Sequence, residues 1–140
     1  MNNFYLFISS NDSKNFHLEN KSHTFTIELP ERIELEDEWE VALVDLCTKN
    51  ALDKNLYIYS DIADYSYVKS SLEPILRIIY PTVNSINYFS ERYYIRVRQK
   101  TLGRIFLYIR DSEGQIPLNF DQEVTLTLHL KKKRKDGEIF

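Results

Sequence analysis

The sequence predicts an all-β fold, an antiparallel sandwich or barrel, and three observations predict it. Apolar residues recur with a period of two almost everywhere. Ten Tyr and eight Phe stand beside only three Gly and four Pro, and aromatic side chains suit a pleated, half-buried surface. Finally, eight or nine short apolar runs follow one another at intervals of about ten residues, the spacing of a many-stranded β domain. With so few glycines, the corners must come from Asn, Asp and Ser, which bond their own backbone in turns.

Taken in order, Phe4–Ser9 is the first expected strand. Phe25-Thr26-Ile27-Glu28-Leu29 alternates apolar with polar and is expected to stop at Pro30, which has no N–H to give a ladder. Trp39–Cys47 and Leu56–Ser60 follow, then Ile75–Tyr80 and a weaker run, Ile86–Phe89. Tyr93–Arg98 places Arg96 and Arg98 on one face and Ile95 and Val97 on the other. Ile105–Ile109 is apolar on both faces and reads as a central strand. Asp111-Ser112-Glu113-Gly114 is a turn linking two strand-like runs, with Gly where a positive φ is needed. Val124–Leu130 closes the series, with four aliphatics alternating with Thr125, Thr127 and His129. Residues 31–47 also carry a faint helical spacing, through Ile33, Leu35, Trp39, Leu43 and Leu46. The acidic crowd Glu34, Glu36, Asp37, Glu38 and Glu40 and the aliphatic run Val41–Leu46 favour loop and strand instead. Asp61–Glu73 lacks periodicity and reads as a long loop with one helical turn.

A chain of 140 residues is the size of one domain. Residues 1–130 are expected to form it, with 131–140 as a basic, flexible tail. Lys131, Lys132, Lys133, Arg134 and Lys135 against Asp136 and Glu138 leave the tail at +3, so the first 130 residues carry −6 of the net −3. An acidic body argues against a broad nucleic-acid footprint on the domain, while the basic run is a candidate contact for nucleic acid.

The residues that carry chemistry form no recognisable constellation. His17, His23 and His129 match no zinc spacing, and each is expected to face solvent. Cys47 is the single cysteine, so neither a disulfide nor a thiolate cage is expected, and after an aliphatic strand it behaves as a small hydrophobe. The acidic crowd at 34–40 lacks the spacing and Gly of a calcium loop and reads as solvated. Asp61 and Asp64 are expected in turns rather than as an acid–base pair. Three glycines do not make a phosphate cradle. No enzyme, metal or cofactor is therefore expected. Neither a signal peptide nor a membrane span of roughly 18 apolar residues is present, so the expected compartment is cytosolic or nuclear.

One stretch goes beyond generic patterning. Leu29-Pro30-Glu31-Arg32-Ile33-Glu34-Leu35 followed by Trp39-Glu40-Val41-Ala42-Leu43 resembles a signature of single-jelly-roll penton proteins, the minor capsid proteins of Polinton (Maverick) elements and adintoviruses. Tyr57–Ile62, Leu76-Arg77-Ile78, Asp111–Gly114 (as a hairpin turn) and Val124–Leu130 resemble later pieces of that family in the same order, so the likeness spans roughly residues 20–130. The resemblance implies a single jelly-roll β-sandwich of about eight strands, acting as a structural virion protein. Such a protein forms a homopentamer at an icosahedral vertex and contacts a major capsid protein. It would be made in host cytoplasm, with a nuclear stage during assembly. Tyr57, Tyr59, Tyr65 and Tyr67 are the candidate subunit interface, since Tyr is enriched at such contacts. Lys131–Lys135 are the candidate contact to a genome or an inner shell protein. The alternatives are a lectin-like or cytokine-like binding module and a domesticated capsid-derived protein. A cupin-type enzyme would need a histidine cluster that this chain does not supply.

Overall fold

The structure, a computed structural model, describes residues 1–49, 54–80, 86–118 and 120–134. Among these residues there is no helix, and eleven strands form: β1 (Asn3–Ser9), β2 (Thr24–Glu34), β3 (Trp39–Thr48), β4 (Leu56–Ser60), β5 (Ser66–Val68), β6 (Ser71–Glu73), β7 (Ile75–Ile79), β8 (Ile86–Tyr88), β9 (Ile95–Arg96), β10 (Thr101–Arg110) and β11 (Val124–Lys132). One sheet runs β1-β11-β3-β8, with β9 also on β3; the other runs β2-β10-β4-β7. All pairings within them are antiparallel. β8 and β9 share one edge of β3 as a single interrupted strand, and β5–β6 is a hairpin inserted between β4 and β7. Eight strand positions remain, and the chain changes sheet at every step except β4 to β7. That order is a jelly roll.

The core lies between the sheets because each strand turns one set of alternate residues inward. Phe25 and Ile27 of β2, Val41, Leu43 and Leu46 of β3, Ile105, Leu107 and Ile109 of β10, and Leu126, Leu128 and Leu130 of β11 are all buried there. Trp39 joins them, its ring 5.5 Å from that of Phe4, and its Nε1 donates to the carbonyl of Glu36 at 2.9 Å. The indole thus buries its body while its one donor is satisfied.

Three expectations change. Pro30 does not end β2, which runs on to Glu34. Glu28 pairs with Arg104 and Ile33 with Leu102, so Leu29–Arg32 bulge opposite the single residue Gly103. An edge strand needs no outward donor, so proline is tolerated there. The Arg32 side chain lies against Gly103, its Cγ 3.4 Å from where a Cβ would stand. Secondly, Asp61–Glu73 is not a loop with a helical turn, because Ser66–Val68 pairs with Ser71–Glu73. Thirdly, Asp111–Gly114 is a tight turn but not a hairpin, since β10 and β11 belong to different sheets. Its glycine does take a positive φ of 79°, and the Gly114 N–H donates to the Asp111 carbonyl at 3.1 Å.

Candidate functional site

The start of the basic run, Lys131 and Lys132, is built into the fold rather than hanging from it. Lys131 and Lys132 are the last residues of β11; Lys131 pairs with Asn3 on one side and Glu40 on the other, and Lys132 with Trp39. The boundary at residue 130 therefore cuts through a strand. Lys132 Nζ lies 3.1 Å from Asp37 and Lys133 Nζ 3.8 Å from Glu38, so the acidic crowd between β2 and β3 and the basic run after β11 face each other. Asp37 reaches this position with φ at 65°, a left-handed conformation that Asp tolerates better than most residues. These pairs sit near the surface, where each contributes at most about 1 kcal/mol. Lys131 Nζ stands 4.0 Å from the ring centre of Tyr94. Lys131, Lys132, Lys133 and Arg134 line an open groove with Asn2, Asn3, Tyr5, Glu40 and His129. Lys135 lies outside the described residues.

His129 is not solvent-facing. It points away from the core as its alternation requires, yet it is only 8% exposed. Tyr5 stacks on it with ring centres 4.4 Å apart. The segment between β8 and β9 folds over it from the other side, bringing Tyr94 Oη to 2.8 Å and Arg92 Nη1 to 3.4 Å from Nδ1. Arg92 can only donate, so Nδ1 is the acceptor and Nε2 carries the proton that goes to Asn3 Oδ1 at 3.2 Å. Burial first, and then the charges of Arg92 and Lys131, hold the imidazole below its usual pKa. The sequence marked the face of His129 but not what covers it.

The other two histidines are also engaged. His17 Nε2 lies 2.8 Å and Arg104 Nε 2.7 Å from the same Glu28 oxygen, which ties the loop after β1 to β2 and β10. Hydrogen bonding to His17 first, and then to Arg104, holds the Glu28 carboxyl below its ordinary range. His23 is half-buried beside Thr24, 2.8 Å from its hydroxyl, and burial followed by Arg110 lowers its pKa. Asp61 accepts the Phe106 N–H at 3.0 Å, and burial raises its carboxyl. Asp64 accepts the Tyr65 N–H at 2.8 Å, so both aspartates shape the chain around the β4 exit. Cys47 is half-buried in β3. Among the described residues no three His, Cys, Asp or Glu side chains converge as a metal site. No helix there is long and apolar enough to cross a membrane.

The four candidate tyrosines do not form one surface. Tyr59 is 7% exposed and stacks on Tyr108 at 4.7 Å; burial first, then Glu73, pushes its phenol up to about 12. Tyr57 is half-buried beside it. The β5–β6 hairpin folds back over this face, where Lys69 donates to the Ser112 carbonyl. Tyr67 is 80% exposed on that hairpin, and Tyr65, just before it, is exposed too. Sequence reasoning did not single out the other exposed aromatics among the described residues, Tyr5, Phe7, Phe16, Tyr80, Tyr88 and Tyr93. The alternation in Asn3–Ser9 puts Phe7 on the face opposite Phe4, Leu6 and Ile8, and that was the available signal.

No protein-family model matches the chain, and no curated protein is significantly similar to it.

Proposed function

We propose that the chain is a structural, non-enzymatic subunit of penton type, a minor capsid protein that closes into a homopentamer. The jelly-roll strand order carries this reading, because the residues of the penton-like signature occupy the bulge of β2 and the first half of β3, where the chain crosses between sheets. Fold is an analogy for function, so the surface must support it independently. What supports it there is that both outer strands of one sheet carry an aromatic side chain more than three-quarters exposed, Phe7 on β1 and Tyr88 on β8.

Light scattering of the purified chain across concentration tests the reading. A discrete species of five times 16.7 kDa supports it. A discrete trimer replaces it with the binding-module reading.

A further inference from the structure

The two edge strands on one side of the sandwich are treated in opposite ways. Along β2, the outward groups of Thr24 and Thr26 and the Glu28 N–H are taken. Lys21 exchanges backbone hydrogen bonds with Thr24 at 2.9 and 3.1 Å. The Asn20 side chain both donates to the Thr26 carbonyl and accepts the Thr26 N–H, each at 2.9 Å. Ser13 Oγ accepts the Glu28 N–H at 2.9 Å. Farther on, Pro30, Glu31, Arg32 and Glu34 blunt the edge with proline and charge.

β1 has no such defence. Its seven residues, Asn3–Ser9, contain no charge and no proline. Lys132 donates to Asn2 and Ser10 to Val124, so the even-numbered residues of β1 bond β11 and the odd-numbered ones turn outward. Asp12 occupies the outward side of Ser9. The N–H and C=O groups of Tyr5 and Phe7 face outward with no backbone partner among the described residues. Phe7 is 79% exposed beside them.

The opposite side of the same sheet also carries exposed apolar residues, Ile86, Tyr88 and Tyr93, but here they stand among arginines. Arg77 from β7 lies 3.9 Å over Phe89 and 4.5 Å over Tyr93 and donates to the Glu91 carbonyl at 2.7 Å, knitting this wall together. Arg96 is exposed on β9. On the β2 side Glu28, Glu31 and Glu34 outnumber Arg32 and Arg104, while on this one Arg77, Arg92 and Arg96 outnumber Glu91, so the two walls lean to opposite sign.

Resting on the reading of the chain as a ring-forming subunit, we infer that the β1 wall of one copy docks on the β8–β9 wall of the next. Two different, complementary walls make a head-to-tail contact, and such contacts close into a ring when the rotation between neighbours is one-fifth of a turn. Phe7 and Tyr88 end one row across the sheet, Phe7, Thr127, Asp45 and Tyr88, so copies side by side at a common height bring them together.

The test compares the wild-type chain with Phe7→Lys, Tyr88→Glu, the double variant and Tyr67→Lys by light scattering, with circular dichroism confirming the fold of each. Phe7→Ser and Tyr88→Ser repeat it should a charge disturb folding. The wild type is expected as a pentamer, with each of the two wall variants at least tenfold weaker in assembly, the double variant restored and Tyr67→Lys unchanged. A pentamer indifferent to both wall variants overturns the contact and leaves the ring reading standing. A dimer lost only in Phe7→Lys means β1 pairs with itself, which overturns both. A wild type that stays monomeric at every soluble concentration also overturns both.

Discussion

Tyr94 and His129 meet at 2.8 Å across the outer face of the β1–β11–β3 sheet, and this bond fastens the segment between β8 and β9 over the strands it crosses. Nδ1 accepts there, so the contact exists in this form only while the imidazole is neutral.

That requirement has a pH signature. The folded-state pKa of His129 lies below the unfolded value of 6.5, so the unfolded chain binds the proton more readily. Stability is therefore complete above about pH 6.5 and falls as pH drops from there toward the depressed folded value. His23, lowered by burial and Arg110, contributes with the same sign. Thermal melts between pH 8 and 5 are expected to show a declining midpoint, with a shallower decline in His129→Gln. Equal slopes in the two proteins would place the sensitivity elsewhere.

Asn20 stands in for a strand neighbour by bonding both backbone groups of Thr26. Asn20→Ala leaves those groups without protein partners and is expected to cost about 1–2 kcal/mol. Urea titration is the measurement, and a change within a few tenths of a kcal/mol would mean that water replaces the side chain fully.

Leu107 sits at the middle of β10 with none of its surface exposed. Leu107→Ala is expected to destabilise by about 2–5 kcal/mol, through lost transfer energy and the cavity left between the sheets, while Ile58→Val costs about 0.5–1.5 kcal/mol. Trp39, the single tryptophan, is buried and reports unfolding by its emission.

Gly114 has a φ of 79° and nothing within 4 Å of where a Cβ would stand, so Gly114→Ala tests backbone strain alone. The expected loss is about 1 kcal/mol. A neutral result would show that the turn relaxes to another conformation.

Because β11 continues to Lys132, two truncations should differ. Ending the chain after Arg134 keeps every described contact of β11. Ending it after Leu130 removes the pairings of Lys131 with Asn3 and Glu40 and the Lys132 bond to Asn2, and is expected to cost about 1–3 kcal/mol. Melting temperatures of the two variants decide the point.

Most of the fold was legible because alternation records which face is dry. Val124, Leu126, Leu128 and Leu130 are buried as their period of two demands. What alternation does not record is the cover on the outer face: Thr127 and His129 are buried too, His129 by Tyr5 and by a segment distant in sequence. The β5–β6 hairpin escaped notice because its strands are three residues each, too short for a pattern. Pro30 misled because a proline that breaks a central ladder is harmless at an edge. The acidic run at 34–40 reads as solvated and the basic run at 131–135 as part of a flexible tail; the pairing of Asp37 and Glu38 with Lys132 and Lys133 depends on β11 lying beside β3, a relation between residues nearly a hundred positions apart.

The placement of β11 between β1 and β3 also sets the order of events in making the protein. Until residues 124–132 have been synthesised, the first strand has no neighbour in its own sheet and one edge of β3 lacks its longest partner. Phe4, Leu6 and Ile8 then lack their neighbours Leu130, Leu128 and Leu126, and the uncharged Asn3–Ser9 segment waits with both edges bare. A chain arranged this way closes late, by pairing across almost its whole length, which is the slow class of folding reaction. It is during that wait on the ribosome, rather than in the finished molecule, that this segment is most exposed to capture by a chaperone or by a neighbouring chain.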